Sequence, residues 1–245
     1  MEQNPTASQL LDVWEQGRFQ TPAQRAFSLL TLAVPAASSE KLGDYGIGQR
    51  DQELLRLRER IFGPRMTGTA QCPACGQEIE LDFSVSDIRA PIASDMAQLH
   101  TMQMGEYDLR FRLPTCSDLA TLAINGTTHG QKSGLLQNCV AEARRNGESI
   151  AAEKLPEEIT TALSMRMAEL DPQGDIEITL TCPKCSRVWE SPFDVASYFW
   201  NELHAWAGRM LREVHVLAAA YGWCEADILA MSPWRRQAYL ELIRQ

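Results

Sequence analysis

The chain has 245 residues, of which 44% are hydrophobic and 22% are charged, a balance typical of an ordinary soluble globular protein. Its formal net charge at pH 7 is −9, which argues against a general binder of the nucleic-acid backbone, because such a protein needs a basic face. The start of the chain shows no basic segment followed by an apolar core, and no apolar stretch is long enough to span a bilayer. We therefore expect a cytoplasmic protein.

The N-terminal third has the periodicity and the stop signals of helices. Apolar residues recur at helical spacing over 9–16, and Thr21-Pro22 opens a second helix with a capping residue followed by proline. Residues 35–48 are rich in proline, serine and glycine, which predicts a loop. A third helix is predicted over 49–62, where Gly63-Pro64 ends it.

The middle of the chain mixes strand-like and helix-like segments. Alternating polar and apolar residues predict strands, and longer periodic segments between glycine- and asparagine-rich breaks predict helices. The predicted strands cover 67–71, 78–83, a hairpin within 100–113, 175–181 and 188–190, and the predicted helices cover 117–124, 134–145 and 156–170.

The C-terminal quarter carries the strongest helix signal. Between residues 193 and 221, apolar residues recur at steps of three and four, which predicts one long amphipathic helix. Gly222 is expected to end it. A short helix over 225–231 and a last helix that starts at Ser232-Pro233 are predicted to follow.

Two copies of the pattern Cys-Pro-x-Cys stand between the predicted strands. The first pair is Cys72 and Cys75, and the second pair is Cys182 and Cys185. Two thiolates on one tight turn can occupy two corners of a tetrahedral zinc ion, and a second such turn supplies the other two. The sequence therefore predicts one shared structural zinc site, although residues 76–181 replace the usual spacer of about 15–20 residues.

Two other interpretations of the cysteine pairs are open. The pairs are either a relict site that has kept its cysteines without metal, or two separate redox pairs. A thioredoxin-like pair lies between a strand and a helix, and neither pair here does, so redox is the least favoured. Gly76 suits the left-handed turn after the first pair, whereas Ser186 adopts that turn at some cost.

These elements together predict an α+β fold. It is mostly helical, with a split zinc-ribbon-like β element made of the two cysteine hairpins, and with a long C-terminal helix followed by two short helices. We predict three regions: an N-terminal helical region over 1–64, the split ribbon over 65–192 with an inserted hairpin and helices over 99–172, and the long helix with its helical tail over 193–245.

The other chemically active side chains show no catalytic grouping. His204 and His215 share a face of the long helix and can form a metal or proton site with Glu213, but solvated or hydrogen-bonded histidines are favoured. No nucleophile elbow, triad or glycine-rich phosphate loop is present, so we expect no enzyme. Three cysteines lack partner spacing and are expected to be buried small hydrophobes: Cys116, Cys139 and Cys224.

The end of the chain concentrates the residue types that dominate binding hot spots. The predicted partner-binding residues are Trp223, Trp234, Arg235, Arg236 and Tyr239. The alternative for Trp223 and Tyr239 is that they only pack the last helices against the long helix. Trp234 and Arg236 are expected to be harder to bury and are the better interface candidates.

Several segments of the sequence resemble a known family. The matching segments are 48–64 leading into the first cysteine pair, 113–119, the second cysteine pair with 193–195, and the ending 212–240 with its Tyr221-Gly222-Trp223 and Ser232-Pro233-x-Arg235-Arg236 motifs. Together they resemble the baseplate hub assembly chaperones of T-even-type phages, in the form carried by contractile injection systems. The resemblance covers nearly the whole chain.

The resemblance implies a non-enzymatic assembly factor that helps build the baseplate hub of a phage-tail-like contractile particle. Its partners would be baseplate hub, spike or tail proteins, with no nucleic acid, membrane or small-molecule substrate. It implies action in the cytoplasm of the producing cell and leaves open whether the protein stays in the finished particle.

Two functions from other classes compete with this one. A zinc-ribbon nucleic-acid or transcription adaptor is the main alternative, and the acidic balance and the absence of a Lys/Arg run between the cysteine pairs argue against it. A metalloenzyme needs an open metal position, and a four-cysteine set leaves none.

Overall fold

The computed structural model describes residues 4–91, 98–124 and 131–243. The helices are α1 (Ala7–Gly17), α2 (Pro22–Ala33), α3 (Ser39–Gly43), α4 (Ile47–Phe62), α5 (Cys116–Ile124), α6 (Gln131–Cys139), α7 (Glu157–Leu170), α8 (Val195–Tyr221), α9 (Glu225–Ala230) and α10 (Pro233–Ile243). The strands are β1 (Arg65–Gln71), β2 (Glu78–Ser84), β3 (His100–Met104), β4 (Tyr107–Phe111), β5 (Val140–Arg145), β6 (Glu148–Ser149), β7 (Glu177–Thr181) and β8 (Val188–Pro192).

Capping boxes start the first two helices. The backbone N–H of Gln9 donates to the hydroxyl of Thr6, and the side chain of Gln9 accepts from the backbone N–H of Thr6. Thr21 and Gln24 make the same two bonds at the start of α2, where Pro22 is the first helical residue. Each box pairs two groups that a helix start otherwise leaves unpaired. The predicted start of α2 at Thr21-Pro22 is confirmed, and α1 begins two residues before the predicted range of 9–16.

The main core lies where the N-terminal helices pack on the first half of α8. Its most deeply buried side chains, each at most 1% exposed, include Leu29, Leu30, Leu54, Leu57, Phe199 and Leu203. At Gly17 the close approach of α1 to α8 leaves no room for a side chain, since a Cβ there would lie 2.1 Å from the Trp200 ring. The core also includes Met66 of the first cysteine hairpin, and the three-region division of the chain stays a prediction.

A second core lies under a four-stranded antiparallel sheet with the order β3-β4-β5-β6. Helix α7 covers one face of the sheet, and its Leu163 packs with Leu109 and Phe111 of β4. The predicted hairpin within 100–113 is confirmed, but the predicted helix over 134–145 is wrong at its end. Residues 140–145 form β5, because the backbone of β4 pairs with them and overrides their helical propensity.

The long C-terminal helix is confirmed. Asp194 caps the start of α8 through the N–H of Ser197, and Gly222 ends the helix in the left-handed conformation, with φ of +70°. Helices α9 and α10 fold back on its last turns around Leu217 and Ile228. The two shorter helices follow as predicted, and the α+β fold class is confirmed. Within the described residues, no helix combines the length and the apolar character that a membrane crossing requires.

One helix of the N-terminal region was missed. The predicted loop over 35–48 contains α3, a single short helix whose start is capped by the hydroxyl of Ser38. Leu42 of α3 is fully buried in the main core, so tertiary packing holds a helix that is too short to be stable alone.

Candidate metal centre

Two separate β-hairpins carry the cysteine pairs at their tips. Strands β1 and β2 pair from Arg65 with Ser84 to Gln71 with Glu78, and β7 and β8 pair from Glu177 with Pro192 to Thr181 with Val188. Each hairpin therefore ends where a Cys-Pro-x-Cys turn begins. We call these two turns, 72–76 and 182–186, the knuckles.

The two knuckles have the same backbone hydrogen bonds. In the first, the N–H of Cys72 donates to the carbonyl of Gln77 and the N–H of Gly76 donates to the carbonyl of Cys72, each at 2.9 Å. The second repeats both bonds at 2.9 Å, from Cys182 to Arg187 and from Ser186 to Cys182. Residues far apart in sequence thus form two copies of one turn.

The last residue of each knuckle has a left-handed backbone. The φ angle is +68° at Gly76 and +57° at Ser186. A left-handed conformation costs an L-residue about 1–2 kcal/mol, and glycine adopts it freely. The prediction that Ser186 adopts the turn despite its side chain is confirmed.

The fold brings the four thiols of the knuckles together. The Sγ atoms of Cys72 and Cys185 are 3.6 Å apart, those of Cys75 and Cys182 are 3.7 Å apart, and all four lie within 4.8 Å of one another. A tetrahedral ion with metal–sulfur bonds of about 2.3 Å separates its sulfurs by about 3.8 Å. The four cysteines therefore fit one tetrahedral metal ion, in a zinc-ribbon-like arrangement.

Backbone N–H groups within each knuckle stabilise thiolates. At Cys182, desolvation raises the pKa, but the N–H groups of Cys185 and Lys184 and the neighbouring thiols lower it to about 7. At Cys72, desolvation likewise raises the pKa, and the N–H groups of Ala74 and Cys75 bring it below its ordinary value. The negative charge needed for metal binding is favoured on the buried cysteine of each knuckle.

The exposed Cys185 behaves in the opposite way. The N–H of Arg187 lowers its pKa, but desolvation and hydrogen bonds to the other three thiols raise it to about 12. Without a cation at the centre, a second thiolate beside the first is unfavourable. Loading a metal ion into the site therefore has to displace thiol protons, and binding depends on pH.

Among the described residues, the four cysteines form the only group of three or more possible metal ligands close enough to hold one ion. His204 makes a different contact: its Nδ1 accepts a 2.9 Å hydrogen bond from Trp14 Nε1, so the hydrogen-bonded interpretation is confirmed for it. His215 is exposed to solvent, and the Glu213 carboxylate binds the Arg236 guanidinium at 3.0 Å.

The other cysteines differ in exposure. Cys116 and Cys139 are buried as predicted, and desolvation raises the pKa of each thiol to about 11. The prediction that Cys224 is buried is wrong, because its position directly before α9 leaves it exposed. There its Sγ donates to the Asp227 carboxylate at 3.0 Å.

The C-terminal tail, residues 222–243, forms an aromatic stack with Tyr221 of α8 and carries one exposed tryptophan. The rings of Tyr221 and Trp223 stack at 4.5 Å, and Tyr239 meets Trp223 edge-on at 4.8 Å. Trp234 is 81% exposed, and the Arg235 guanidinium lies 5.8 Å from the Tyr239 ring. Partner binding by these residues stays a prediction.

The expectation that Arg236 is harder to bury than its neighbours is wrong. Arg236 is 4% exposed, and its guanidinium donates to Glu213 on α8 and to the carbonyl of Met231 at 2.6 Å. A guanidinium can be buried when a carboxylate and carbonyl oxygens accept its hydrogen bonds. Within this chain, Arg236 ties α10 to α8.

A second buried arginine, which the sequence analysis missed, supports the first hairpin. Arg58 of α4 binds both carboxylate oxygens of Glu202 on α8, at 2.6 and 2.7 Å, and also donates to the carbonyls of Gly63 and Arg65 at the start of β1. Its burial could have been predicted from its position four residues after Leu54, which places it on the buried face of α4.

Tyr198 of α8 makes a second support for the hairpin. Its hydroxyl donates to the carbonyl of Thr67 at 2.9 Å and accepts from the N–H of the same residue at 3.0 Å. One side chain thus pairs both backbone groups on the outer edge of β1. The first knuckle is carried by a hairpin that is bonded to α4 and to α8.

A comparison with known proteins assigns the family. A protein-family model described as T4 bacteriophage base plate protein matches residues 31–200, which include both knuckles, the inserted sheet and the start of α8. No curated protein and no solved structure matches the chain. Since the match spans well over half of the chain, this protein belongs to the T4 bacteriophage base plate protein family.

Proposed function

We propose that this protein is a non-enzymatic assembly factor for the baseplate hub of a contractile, phage-tail-like injection system. The family match is the observation that carries the proposal, since it covers 31–200 of the chain and makes the protein baseplate-related. The partners of such a factor are other baseplate or tail proteins. We propose the cytoplasm of the producing cell as its place of action.

The cysteine centre holds one structural zinc ion in this proposal. Four thiols at tetrahedral spacing suit zinc, which is bound in structural sites by four cysteines or by cysteines and histidines. A four-cysteine set leaves no coordination position for a substrate or a water molecule, which supports a non-catalytic role. The ion joins two hairpins from distant parts of the sequence, so its contribution is to the stability of the body that presents the binding surfaces.

The C-terminal tail of this chain, residues 222–243, supplies the proposed surface for hub, spike or phage-tail proteins. A tryptophan that is 81% exposed is costly to leave in water and is a typical anchor of an interface. Arg235 beside it offers a charged donor over the ring of Tyr239. Because Trp223 and Tyr239 are half-buried in the aromatic stack, they support the surface while Trp234 and Arg235 face the partner.

The family match does not favour the alternative, a zinc-ribbon adaptor for nucleic acid. Membership in a baseplate family points to protein partners. The net charge of −9 also opposes phosphate binding, because neither the whole chain nor the segment between the knuckles is basic.

The test is co-expression of the tagged protein with the products of its neighbouring genes, followed by affinity purification and metal analysis. We expect hub or spike proteins to co-elute with about one zinc per chain. The variant Trp234→Ala/Arg235→Ala should lose the partner and keep the zinc. Phe19→Ala is the matched control, since Phe19 lies two residues after α1, outside the tail, and is 91% exposed.

Each outcome bears on a separate part of the proposal. Nucleic acid in the eluate without baseplate proteins would overturn the assembly function in favour of the adaptor. Equal loss of partner in the tail variant and in the control would reject the tail as the surface. Mass spectrometry of purified particles then separates a transient factor, which is absent from them, from a retained minor component.

A further inference from the structure

A groove of about 610 Å³ separates the two hairpins that carry the knuckles. One wall of the groove is formed by residues 80–83 of β2. The opposite wall is formed by residues 175–180, which include the first four residues of β7, and residues 87–90 close one end. Consecutive residues of a strand point to opposite faces of a sheet. Since consecutive residues of both strands line the groove, each strand presents its edge to it.

Each of these two strands has one backbone edge beside which the described residues place no further strand. In the described part of the chain, β2 pairs with β1 and with no further strand, and β7 pairs in the same way with β8 alone. The outer edge of β1 is covered by Tyr198, but the edges of β2 and β7 face each other across the groove. An edge of this kind offers N–H and C=O groups to an added strand.

The walls of the groove are held in place at both ends. At one end, the buried Gln173 accepts from the N–H of Ala90 at 2.7 Å and donates to the carbonyl of Ile88 at 3.5 Å. At the other end, both strands run into the knuckles, where the four thiols meet. The groove is therefore a preformed feature, and binding in it requires little ordering of the protein.

The side chains around the groove differ between its two faces. The exposed face is acidic, and its carboxylates are Glu80, Asp82, Asp87, Asp175 and Glu177. Arg65 binds Asp82, Glu177 also has a partner within the chain, and Arg89, the one basic residue among the described lining residues, binds Glu59. The inner face is apolar and is formed by Leu81, Phe83, Ile176, Ile178 and Leu180.

We propose that this groove binds an extended segment of a partner protein, inserted as a strand between β2 and β7, in which basic residues alternate with apolar residues. The alternation of a strand would place its apolar side chains on the inner face and its lysines or arginines among the carboxylates. An anionic partner, such as nucleic acid, is repelled by the same carboxylates. The inference goes beyond the proposed function because this surface is separate from the tail.

The probe is a fluorescein-labelled decapeptide of alternating lysine and valine, titrated with the metal-loaded full chain and followed by fluorescence anisotropy. We expect saturable binding that weakens with salt. Reversing two exposed carboxylates, in Glu80→Lys/Asp175→Lys, should weaken binding at least about tenfold, because like charges then meet across the interface. The matched control is Asp12→Lys/Glu15→Lys on the exposed side of α1, with an identical change in net charge.

Backbone methylation of the peptide tests insertion as a strand. Alternate N–H groups of a strand point to its two opposite sides, so methylating the lysine amides or the valine amides should each abolish binding. Loss with only one of the two sets would mean addition to a single edge and would overturn insertion between two. Equal weakening by both protein variants, or unchanged binding of both methylated peptides, would show that long-range electrostatic attraction alone causes the binding. Either result would overturn the proposal.

Discussion

At the scale of single residues, Ser186 is the one position where the two knuckles differ in backbone cost. Its φ of +57° matches the +68° of Gly76, but it carries a side chain. The hydrogen bond from its N–H to the carbonyl of Cys182 does not involve that side chain. The turn therefore tolerates serine and does not require it.

We expect Ser186→Gly to stabilise the metal-loaded protein by roughly 0.5–1 kcal/mol. Glycine removes the cost of the left-handed conformation, about 1–2 kcal/mol. It also gives the unfolded chain more conformational freedom, which offsets part of this gain in stability. The measurement is the free energy of unfolding in urea. Gly76→Ser, the reverse substitution in the other knuckle, should lower the free energy of unfolding by a similar amount. A lower stability of Ser186→Gly would contradict this explanation.

The buried thiols of Cys116 and Cys139 make stability depend on pH in the alkaline range. Each has its pKa raised by desolvation from 9.0 to about 11. Below pH 9 both thiols are neutral in the folded and unfolded states. Above it the unfolded chain ionises first, so stability is lost as pH rises from about 9 to 11, by roughly 2 kcal/mol per thiol.

Urea unfolding at pH 8 and pH 10.5 measures this loss. We expect Cys116→Ala/Cys139→Ala to lower stability at both pH values, because it creates cavities. It should also reduce the difference in stability between pH 8 and pH 10.5. Cys224→Ala, a change at an exposed thiol, should keep the slope of the unaltered protein. An equally steep slope in the double variant would show that these thiols are not the cause.

At the scale of elements, Arg58 determines how the first hairpin sits on the helices. Its guanidinium joins α4 to Glu202 of α8, to the carbonyl of Gly63 directly after α4, and to the carbonyl of Arg65 at the start of β1. The side chain is 2% exposed, whereas that of Glu202 is 26% exposed. A buried donor set with four acceptors makes the orientation of the hairpin specific.

We expect Arg58→Met to destabilise the protein by about 3 kcal/mol, because the partly exposed Glu202 and the two carbonyls lose a buried hydrogen-bond donor. The measurement is the unfolding free energy in urea. Adding Glu202→Gln to this variant should recover part of the loss by removing the uncompensated charge. A loss below about 1 kcal/mol in the single variant would show that the contact behaves like a surface ion pair.

Strand β5 and the short helix α3 are elements that the local sequence pattern did not predict. The segment 134–145 has no strong strand signal, yet its second half becomes β5 because β4 offers a backbone edge beside it. Helix α3 exists because Leu42 fills a place in the main core. In both cases, groups distant in the sequence decide the conformation.

At the scale of the whole molecule, the metal centre closes the chain on itself. It joins turns at 72–76 and 182–186, with the inserted sheet and α7 between them. If a zinc ion occupies the centre, metal binding and folding are coupled, because the complete set of four thiols exists only in the folded chain.

We expect Cys182→Ser to lower the melting temperature of the whole protein and to abolish stoichiometric metal. Thermal melting and metal analysis of the same sample measure both effects. Treatment of the unaltered protein with a strong chelator should reproduce the lower melting temperature, and Cys224→Ser should leave both values unchanged. A melting curve of Cys182→Ser identical to that of the unaltered protein would reject a structural metal.

Features that depend on neighbours along the chain could be predicted from the amino-acid pattern. The capping boxes at Thr6 and Thr21, the long helix ended by Gly222, and the knuckle turns all rest on hydrogen bonds or periodicity within a few residues. Which surfaces meet could be seen only once the chain was folded. The burial of Arg236 depends on Glu213 of another helix, and the groove exists only because two hairpins from distant segments stand edge to edge. Burial and pairing are properties of partners, and a local pattern carries no information about partners that lie far away in the sequence.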